Sequence, residues 1–390
     1  MSYILSQICH FVYIFMYIQW SKLKAYNYIC LVSSIADHIF VNEIKTEKLD
    51  FYLANGFFRN ANMLFRSQIL PVEGQLNNVI NIRLPLANHQ FNKRHRKLCR
   101  QNEACFTIVF KDSITITPAK EQLFKNHSNR FKGFMYRNLK QLLYGDLNMM
   151  VFDSKEINIY AGNKLVAFSF FDIGKKSIAS ILGVFDQEYE KYSLGTYSML
   201  LEIKWAQDNG YEYYYPGYIL DKSKDFDYKL RLGNMEFKLG EDQWDDIQKI
   251  DKNKFAGTAL ENELSKLQIF LKSKKIKFTR YLYPYYSLGH VDLEELPLFV
   301  KSPLHIYLPM KLRSRNRIIV EYDMEKKLWV ISMVKKNNLY NNYIKQNQIT
   351  TIKKIKSEYL YVLEYVYVYT TTNMIDIPYY IDQILDNAMG

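Results

Sequence analysis

Apolar spacing changes several times along the middle of this chain, and each change marks an element. In "PAKEQLFKNHSNRFKGFMYRNLKQLLYG", Leu123, Phe124, His127, Phe131, Phe134, Leu139, Leu142 and Leu143 recur at helical intervals. The spacing predicts one helix, with Thr117 as its cap, Pro118 in its first turn and Gly145 at its end. Three apolar, β-rich runs follow, "INIY", "KLVAFSFF" and "SIASILGVFD", separated by "AGN" and "DIGK". Glycine-bearing turns between such runs predict a three-strand meander. The pattern then returns to a helix in "SLGTYSMLLEIKWAQDNG", where Met199, Leu200, Ile203 and Ala206 share one face and Gly210 supplies the stop. "YEYYY" reads as a strand, and Pro216-Gly217 is expected to turn the chain outward.

The order β-β-β-α-β implies a crossover connection, so the fold class is α+β with a mixed, partly parallel sheet and flanking helices. Ligands on such sheets sit outside the carboxyl ends of the strands, against helix N-termini. Most glycines fall between Gly133 and Gly240, which marks this stretch as the turn-rich core. Beyond it, "TALENELSKLQIFLKS" aligns Leu260, Leu264, Leu267 and Leu271 on one helix face. "RIIVEYDMEKKLWVISMV" reads as a hairpin, and "SEYLYVLEYVYVYTTT" as a long strand. The expected organisation is an apolar extension over residues 1–47, a basic region over 48–116, an α+β domain over 117–290 and a small β-rich appended domain over 291–390. The opening run "YILSQICHFVYIFMYIQW" is interrupted by Gln7, His10 and Gln19 and lacks a basic start and a cleavage site. It reads as a buried helix or as residues ahead of the domain rather than as a stable membrane anchor.

Composition sharpens this only in places. Hydrophobic residues make up 48% and charged residues 24%, a globular balance. Net charge is +12 with a pI of about 9.1, which suits an anionic partner, although a genome rich in Lys, Asn, Ile, Tyr and Phe would give the same total. Four cysteines, Cys9, Cys30, Cys99 and Cys105, form no CxxC pair, so a reducing, cytoplasmic setting is expected. Cys99 and Cys105 lack a second pair to complete a metal site, and no metal is expected.

Local clustering is more telling. No Asp or Glu occurs from Gly74 to Asn102, while Arg83, Lys93, Arg94, Arg96, Lys97 and Arg100 all do. Lys93, Arg96, Lys97 and Arg100 fall on one helical face, a row suited to a phosphate backbone, and His95 reads as a contact or spacer. At "YSLGTY", Ser193 or Thr196 can cap a helix, and the bare backbone near Gly195 offers N–H groups to a phosphate or carbonyl oxygen. Acyltransferases of the GNAT class hold the coenzyme A pyrophosphate at this place with a richer glycine loop. In "YYYPGYILDKSKDFDYKLRLG", tyrosines can stack on bases or orient an amine, while Lys229 and Arg231 can pair with a carboxylate.

Taken in order from Lys48 to Trp244, these segments resemble the aminoacyl-tRNA–protein transferases, the arginyl- and leucyl-transferases that modify protein N-termini. "LDFYLANGFFRNANMLF" resembles the family's opening Gly-aromatic-Arg segment. "IRLPLANHQFNKRHRKLCRQN" is similar to its arginine motif, which ends at Asn102. "KEQLFKNHSNRFKG" is similar to its helix with an Arg followed by a Gly. "FDQEYEKYSLGTYSMLLEIKWAQDNGYEYYYPGYI", with Tyr228-Lys229 downstream, is the most specific match.

The resemblance implies a GNAT-like domain in which a protein's α-amine attacks the ester joining an amino acid, Arg or Leu, to tRNA, an N-degron type of modification. It also accounts for the sparse glycine loop, because tRNA rather than coenzyme A delivers the acyl group. The roles it implies are substrate contacts from Ser193, Leu194, Gly195, Thr196 and Tyr197, and a proton relay or amine site at Asp186. Tyr218 would orient the amine, Lys229 and Arg231 would hold an acidic N-terminal side chain, and the basic residues would grip the acceptor stem. The family carries a cysteine cluster near its N-terminus; here "RSQILPVEGQLNNVINIR" has none, so no cofactor is expected. The alternatives are a GNAT acyltransferase using acetyl-coenzyme A and an inactive relative that binds tRNA or peptide.

Overall fold

The computed structural model describes residues 35–72, 74–129, 136–145, 149–290, 298–309, 316–338 and 361–389. The N-terminal apolar run with Cys9 and Cys30, the Arg130 and Gly133 of the arginine-glycine helix motif, and the first residues of the expected appended domain lie outside them.

A small antiparallel sheet comes first: β1 (Ala36–Phe40) and β2 (Phe58–Asn60) flank β3 (Met63–Ser67), with helix α1 (Thr46–Ala54) connecting them. The central sheet contains β4 (Ile69–Val72), β5 (Gln75–Pro85), β6 (Thr107–Lys111), β7 (Ser154–Ala161), β8 (Lys164–Ile173), β9 (Ser177–Phe185), β10 (Tyr213–Leu220), β11 (Glu236–Lys238) and β12 (Asp245–Asp246). Its order is β12-β11-β5-β10-β9-β8-β7-β6, with β4 paired to β5. Only β9 and β10 run parallel, so the sheet is mixed, as the crossover helix requires. The expected meander is present as β7, β8 and β9, joined antiparallel.

Helices α2 (Lys93–Glu103), α3 (Pro118–Ser128), α4 (Leu139–Tyr144) and α5 (Leu194–Asp208) flank this sheet. The single helix expected from Thr117 to Gly145 is two: Thr117 caps α3 as foreseen, but Asn138 starts a second helix by accepting the Gln141 N–H. A second cap within one apolar repeat breaks what periodicity alone reads as continuous. Helix α5 is buried nearly all round because the sheet lies on one side and Leu98 and Cys99 of α2 on the other.

Strand β10 also departs from expectation. It does not turn out at Pro216-Gly217 but continues to Leu220, absorbing the dipeptide as a register shift between Tyr214 and Gly217. Gly217 takes φ 99°, and Pro216 has no N–H to contribute to a ladder, so a bulge is where this pair fits a strand.

The C-terminal sheet comprises β13 (Thr279–Leu282), β14 (Leu304–Leu308), β15 (Arg317–Asp323), β16 (Leu328–Lys336) and β17 (Leu363–Thr371), antiparallel in that order. It starts at Thr279, ahead of the expected boundary at Val291. Helix α6 (Ala256–Ser273) lays Leu260, Leu264, Leu267 and Leu271, all fully buried, against it, each worth about 2 kcal/mol of burial. The same core includes Ile69 and Leu76 of β4 and β5, and Tyr286 donates to the Ile69 carbonyl at 2.5 Å. The two sheets therefore share a core through β4. Helix α7 (Ile377–Met389) closes the described chain. Among the described residues no helix is long and apolar enough to cross a membrane.

Candidate active site between two parting strands

The parallel seam of the central sheet is short. Tyr213, Tyr214 and Tyr215 pair with Ser177, Ile178 and Ala179, and there the pairing ends. Beyond it, β9 bonds only to β8 as far as Phe185, and β10 only to β5 as far as Leu220. The β10 bulge at Pro216-Gly217 falls at this point, so the strands part where β10 changes register.

Helix α5 runs back along β9 beside the gap. A methyl group added at Gly195 would lie 3.2 Å from a Phe185 ring carbon, and one added at Gly183 would lie 3.5 Å from the Ser198 hydroxyl. Gly195 is thus a close-approach glycine that seats the helix start on the end of β9. Ser193 does not cap with its side chain, as had been expected. It adopts φ 51°, ψ 43° and instead accepts the Thr196 and Tyr197 N–H groups through its carbonyl. The left-handed conformation swings the hydroxyl away from the helix. The amides of Leu194 and Gly195 make no hydrogen bond among the described residues, while Leu194 and Tyr197 are themselves buried.

The other expected site residues lie around this gap in unequal positions. Asp186 terminates β9; one oxygen accepts the Glu188 N–H and the other pairs with Lys164 at 2.9 Å. Tyr218 is buried in an apolar cluster with Phe58 and Phe226. Lys229 is buried beneath it, donating to the Tyr218 carbonyl at 3.1 Å, with its ammonium 5.0 Å from the Phe226 ring centre. Burial lowers the Lys229 pKa to about 7. This corrects the expectation of a carboxylate-binding pair: Arg231 is exposed, but Lys229 faces the interior.

The basic row is built as expected. Asn92 caps α2 by accepting the His95 N–H, and Lys93, Arg94, Arg96, Lys97 and Arg100 are exposed on it. Lys93, Arg96 and Arg100 join Lys204 of α5 around a cavity of about 520 Å³ that Phe91, Leu200 and the carboxylate of Glu103 also line. Asn102 donates to the Tyr192 carbonyl at 3.0 Å, which ties the end of α2 to the turn leading into α5. His95 is buried, its pKa lowered mainly by burial, in keeping with a spacer. Arg83 does not join this row. It pairs with Glu236 at 2.6 Å and lies 4.0 Å from the Tyr213 ring and 4.5 Å from that of Trp244. Its place on β5, opposite a carboxylate on β11, engages the charge inside the sheet.

Sequence reasoning missed two features. Arg59, in the Gly-aromatic-Arg segment, is buried and pairs with Asp172 of β8 at 2.7 Å, donates to the Leu143 carbonyl and lies over Phe152. Glu202 sits fully buried on the sheet-facing side of α5 and accepts the Tyr214 hydroxyl at 2.7 Å. Its signal was available: in "SMLLEIKWA" it is an acid four residues from both Ser198 and Ala206, both buried.

The mixed sheet, the parted strands and the basic face of α2 are the features that lie within or beside the part of the chain that matches known proteins. Residues 117–238 match the family described as arginine-tRNA-protein transferase, C terminus. Over these residues the chain is similar to the aminoacyl-tRNA–protein transferases. It is 27% identical over 232 residues to an aspartate/glutamate leucyltransferase of Leptospira interrogans, covering 56% of this chain and 87% of the relative. It is 24% identical over 222 residues to one of Helicobacter hepaticus, covering 56% and 90%. Among solved structures it is similar to FemX at a TM-score of 0.33 and 12% identity, over 59% of this chain and 74% of the other.

Proposed function

We propose that this protein moves leucine from a charged tRNA to the α-amine of a protein N-terminus that begins with Asp or Glu. The observation that carries the reading is the position of the family match: residues 117–238 include the gap between β9 and β10, the start of α5 and the bulged strand that walls it. The parting of two parallel strands beside a helix start is the GNAT-like element of this reading.

The acyl ester is already activated, so the site must position the amine and stabilise an oxyanion. A free α-amine has a pKa near 7.7–8.0, so much of it is neutral without a strong base. In our reading the Leu194 and Gly195 amides face the developing oxyanion, with Ser193, Thr196 and Tyr197 shaping their turn. Asp186, bonded at both oxygens, fixes the entry to that turn. Tyr218 and Lys229 form the wall beneath β10, and Arg231 at the surface meets the acidic acceptor. The α2 row and Lys204 grip the acceptor stem. The segment where the family carries cysteines is here the β4–β5 hairpin, which supplies no thiolate, so the reaction is read as needing no cofactor.

The test is transfer of labelled amino acids from bulk charged tRNA to short peptides beginning with Asp, Glu, Arg or Lys. Leucine moving to the acidic peptides is expected, and treatment with a chelator should leave the rate unchanged. Arginine moving instead would reassign the donor, and no transfer to any peptide would overturn the reading. Arg96→Glu should weaken tRNA binding and flatten its salt dependence by about one unit of log–log slope. Unchanged affinity and slope would make the row a bystander.

A further inference from the structure

Glu202 stands where the two strands begin to part. Ser180 is the first residue of β9 beyond the last parallel pair, and Tyr214 lies within that pairing. The Tyr214 hydroxyl donates to Glu202 Oε2 at 2.7 Å, while Glu202 Oε1 is buried with no hydrogen-bond partner. The Ser169 hydroxyl on β8 is buried beside the carboxyl without a well-formed bond to it. Burial raises the carboxyl pKa to about 7, against the pull of hydrogen bonding from Tyr214 and of the Ser169 and Ser180 hydroxyls beside it. Tyr228, in the turn Asp227–Leu232, is partly exposed as a residue, but loss of hydration at its hydroxyl and then the Glu202 charge raise its pKa to about 12. No charged side chain contributes to the carboxyl's shift; the groups facing it are Ser169 on β8, Ser180 on β9, Tyr214 on β10 and Tyr228 on the turn.

A buried carboxyl with a lone oxygen is rare enough to need a reason. A structural role would satisfy both oxygens. Here one lacks a well-formed bond at the place where the sheet itself opens, and its neighbour Ser180 is half-buried and the first residue of β9 past the last parallel pair. Within the reading proposed above, we infer that Glu202 is the proton acceptor of the transfer, acting through the Ser180 hydroxyl as a positioning residue rather than by touching substrate.

The neutral α-amine nitrogen attacks the ester carbonyl carbon, forming the new C–N bond. Ser180 takes the proton that nitrogen loses while passing its own to the Glu202 carboxylate. The C–O bond to the ribose then breaks, and the same relay reversed returns the proton to the ribose oxygen. The product is an amide and uncharged-end tRNA, with Glu202 again a carboxylate. A carboxyl titrating near neutrality can perform both halves of this exchange; one at the ordinary carboxylate value would be a poor acceptor.

Single-turnover transfer by the full chain, measured from pH 5.5 to 8.5, tests this. Two groups, the substrate amine and Glu202, must lose a proton, so the logarithm of the rate should rise with slope near two below pH 6.5. In Glu202→Gln the slope should fall to one, with the rate at pH 8 down roughly 100-fold and tRNA affinity unchanged. Ser180→Ala should lower the rate while keeping the fold. Infrared difference spectra of the chain without substrate give a readout independent of activity: carboxyl intensity titrating near pH 7 in the wild type, about half of it lost in Glu202→Gln and the rest lost when Glu321→Gln is added. If Glu202→Gln keeps the wild-type rate and slope, or if the intensity lost in that variant titrates at the ordinary carboxylate value, the inference is overturned. Absence of transfer by the wild type with that intensity intact would instead defeat the proposed reaction.

Discussion

Each of the two large sheets buries a glutamate against a tyrosine hydroxyl, and the two pairs look alike until their second oxygens are compared. Glu202 accepts from Tyr214 at 2.7 Å, and Glu321 accepts from Tyr365 at 2.8 Å. Burial raises both carboxyls to about 7. In the C-terminal sheet, however, the other oxygen of Glu321 takes the Ser302 N–H at 3.0 Å, within ladders that run antiparallel at every seam. In the central sheet the other oxygen of Glu202 has only the Ser169 and Ser180 hydroxyls beside it and no well-formed bond, and the seam beside it stops. A raised pKa therefore does not distinguish a functional acid from a structural one; the unmet bond and the open space do.

The largest effect that sharpens this contrast is on stability, and it runs opposite to activity. Glu321→Leu leaves the Ser302 N–H and the Tyr365 hydroxyl without an acceptor, at a cost of about 2–4 kcal/mol. Glu202→Leu removes one well-formed bond, that of the Tyr214 hydroxyl, and should cost about half as much. Denaturant melts at pH 5.5, where both carboxyls are neutral, give the comparison, while only the Glu202 variant should lose transfer. Equal costs with equal losses of activity would erase the distinction.

The next effect is on the pH dependence of stability. Each carboxyl keeps its proton in the folded state at pH values where the unfolded chain has released it, so folding is favoured at low pH. That contribution is present below about 4.5 and is lost as pH rises towards 7, at up to about 1.4 kcal/mol per pH unit for each group. Glu202→Gln and Glu321→Gln should each remove one share of the slope, and the double variant both. Lys229 works in a higher window: its depressed folded pKa makes stability rise between about 7 and 10.5, and Lys229→Met should flatten that rise. A slope unchanged in any of these variants would place the named group in water.

Much of this architecture could be read from residues alone, because the central elements are strongly patterned. The meander, helix α5, its Gly210 stop and the four leucines of α6 follow from alternation and 3.6-residue spacing, and the α2 row from charge at the same interval. The misses are places where a local signal met a tertiary one. Pro216-Gly217 is a turn by propensity and a bulge in fact, since β5 holds the strand on one side while β9 leaves it on the other. Lys229 and Arg83 carry charge in sequence, yet packing places one under Tyr218 and the other between aromatic rings and Glu236. The boundary before β13 was hidden because α6 and β4 share the C-terminal core, which no linker composition announces. Glu202 was passed over as one acid in a helix, although its four-residue spacing from Ala206 on the apolar face already turned it towards the sheet.

The smallest effect separates the two tyrosines. Hydrogen bonding from Tyr214 lowers the Glu202 pKa against the opposing pull of burial. Tyr214→Phe removes that bond, adds no charge and leaves the ring in place, so the carboxyl should move further above 7. Because the proposed acceptor must be ionised to act, the transfer profile should follow it to higher pH, by about half a unit to one unit if the bond is worth about 1 kcal/mol. Tyr365→Phe should shift Glu321 in the same direction in a stability titration, with no movement in the transfer profile. The two variants remove the same atom from the same kind of pair. A profile that moves with both would mean that the sheets communicate through their shared core at Ile69 and Leu76, and one that moves with neither would mean that Glu202 only holds Tyr214 in place.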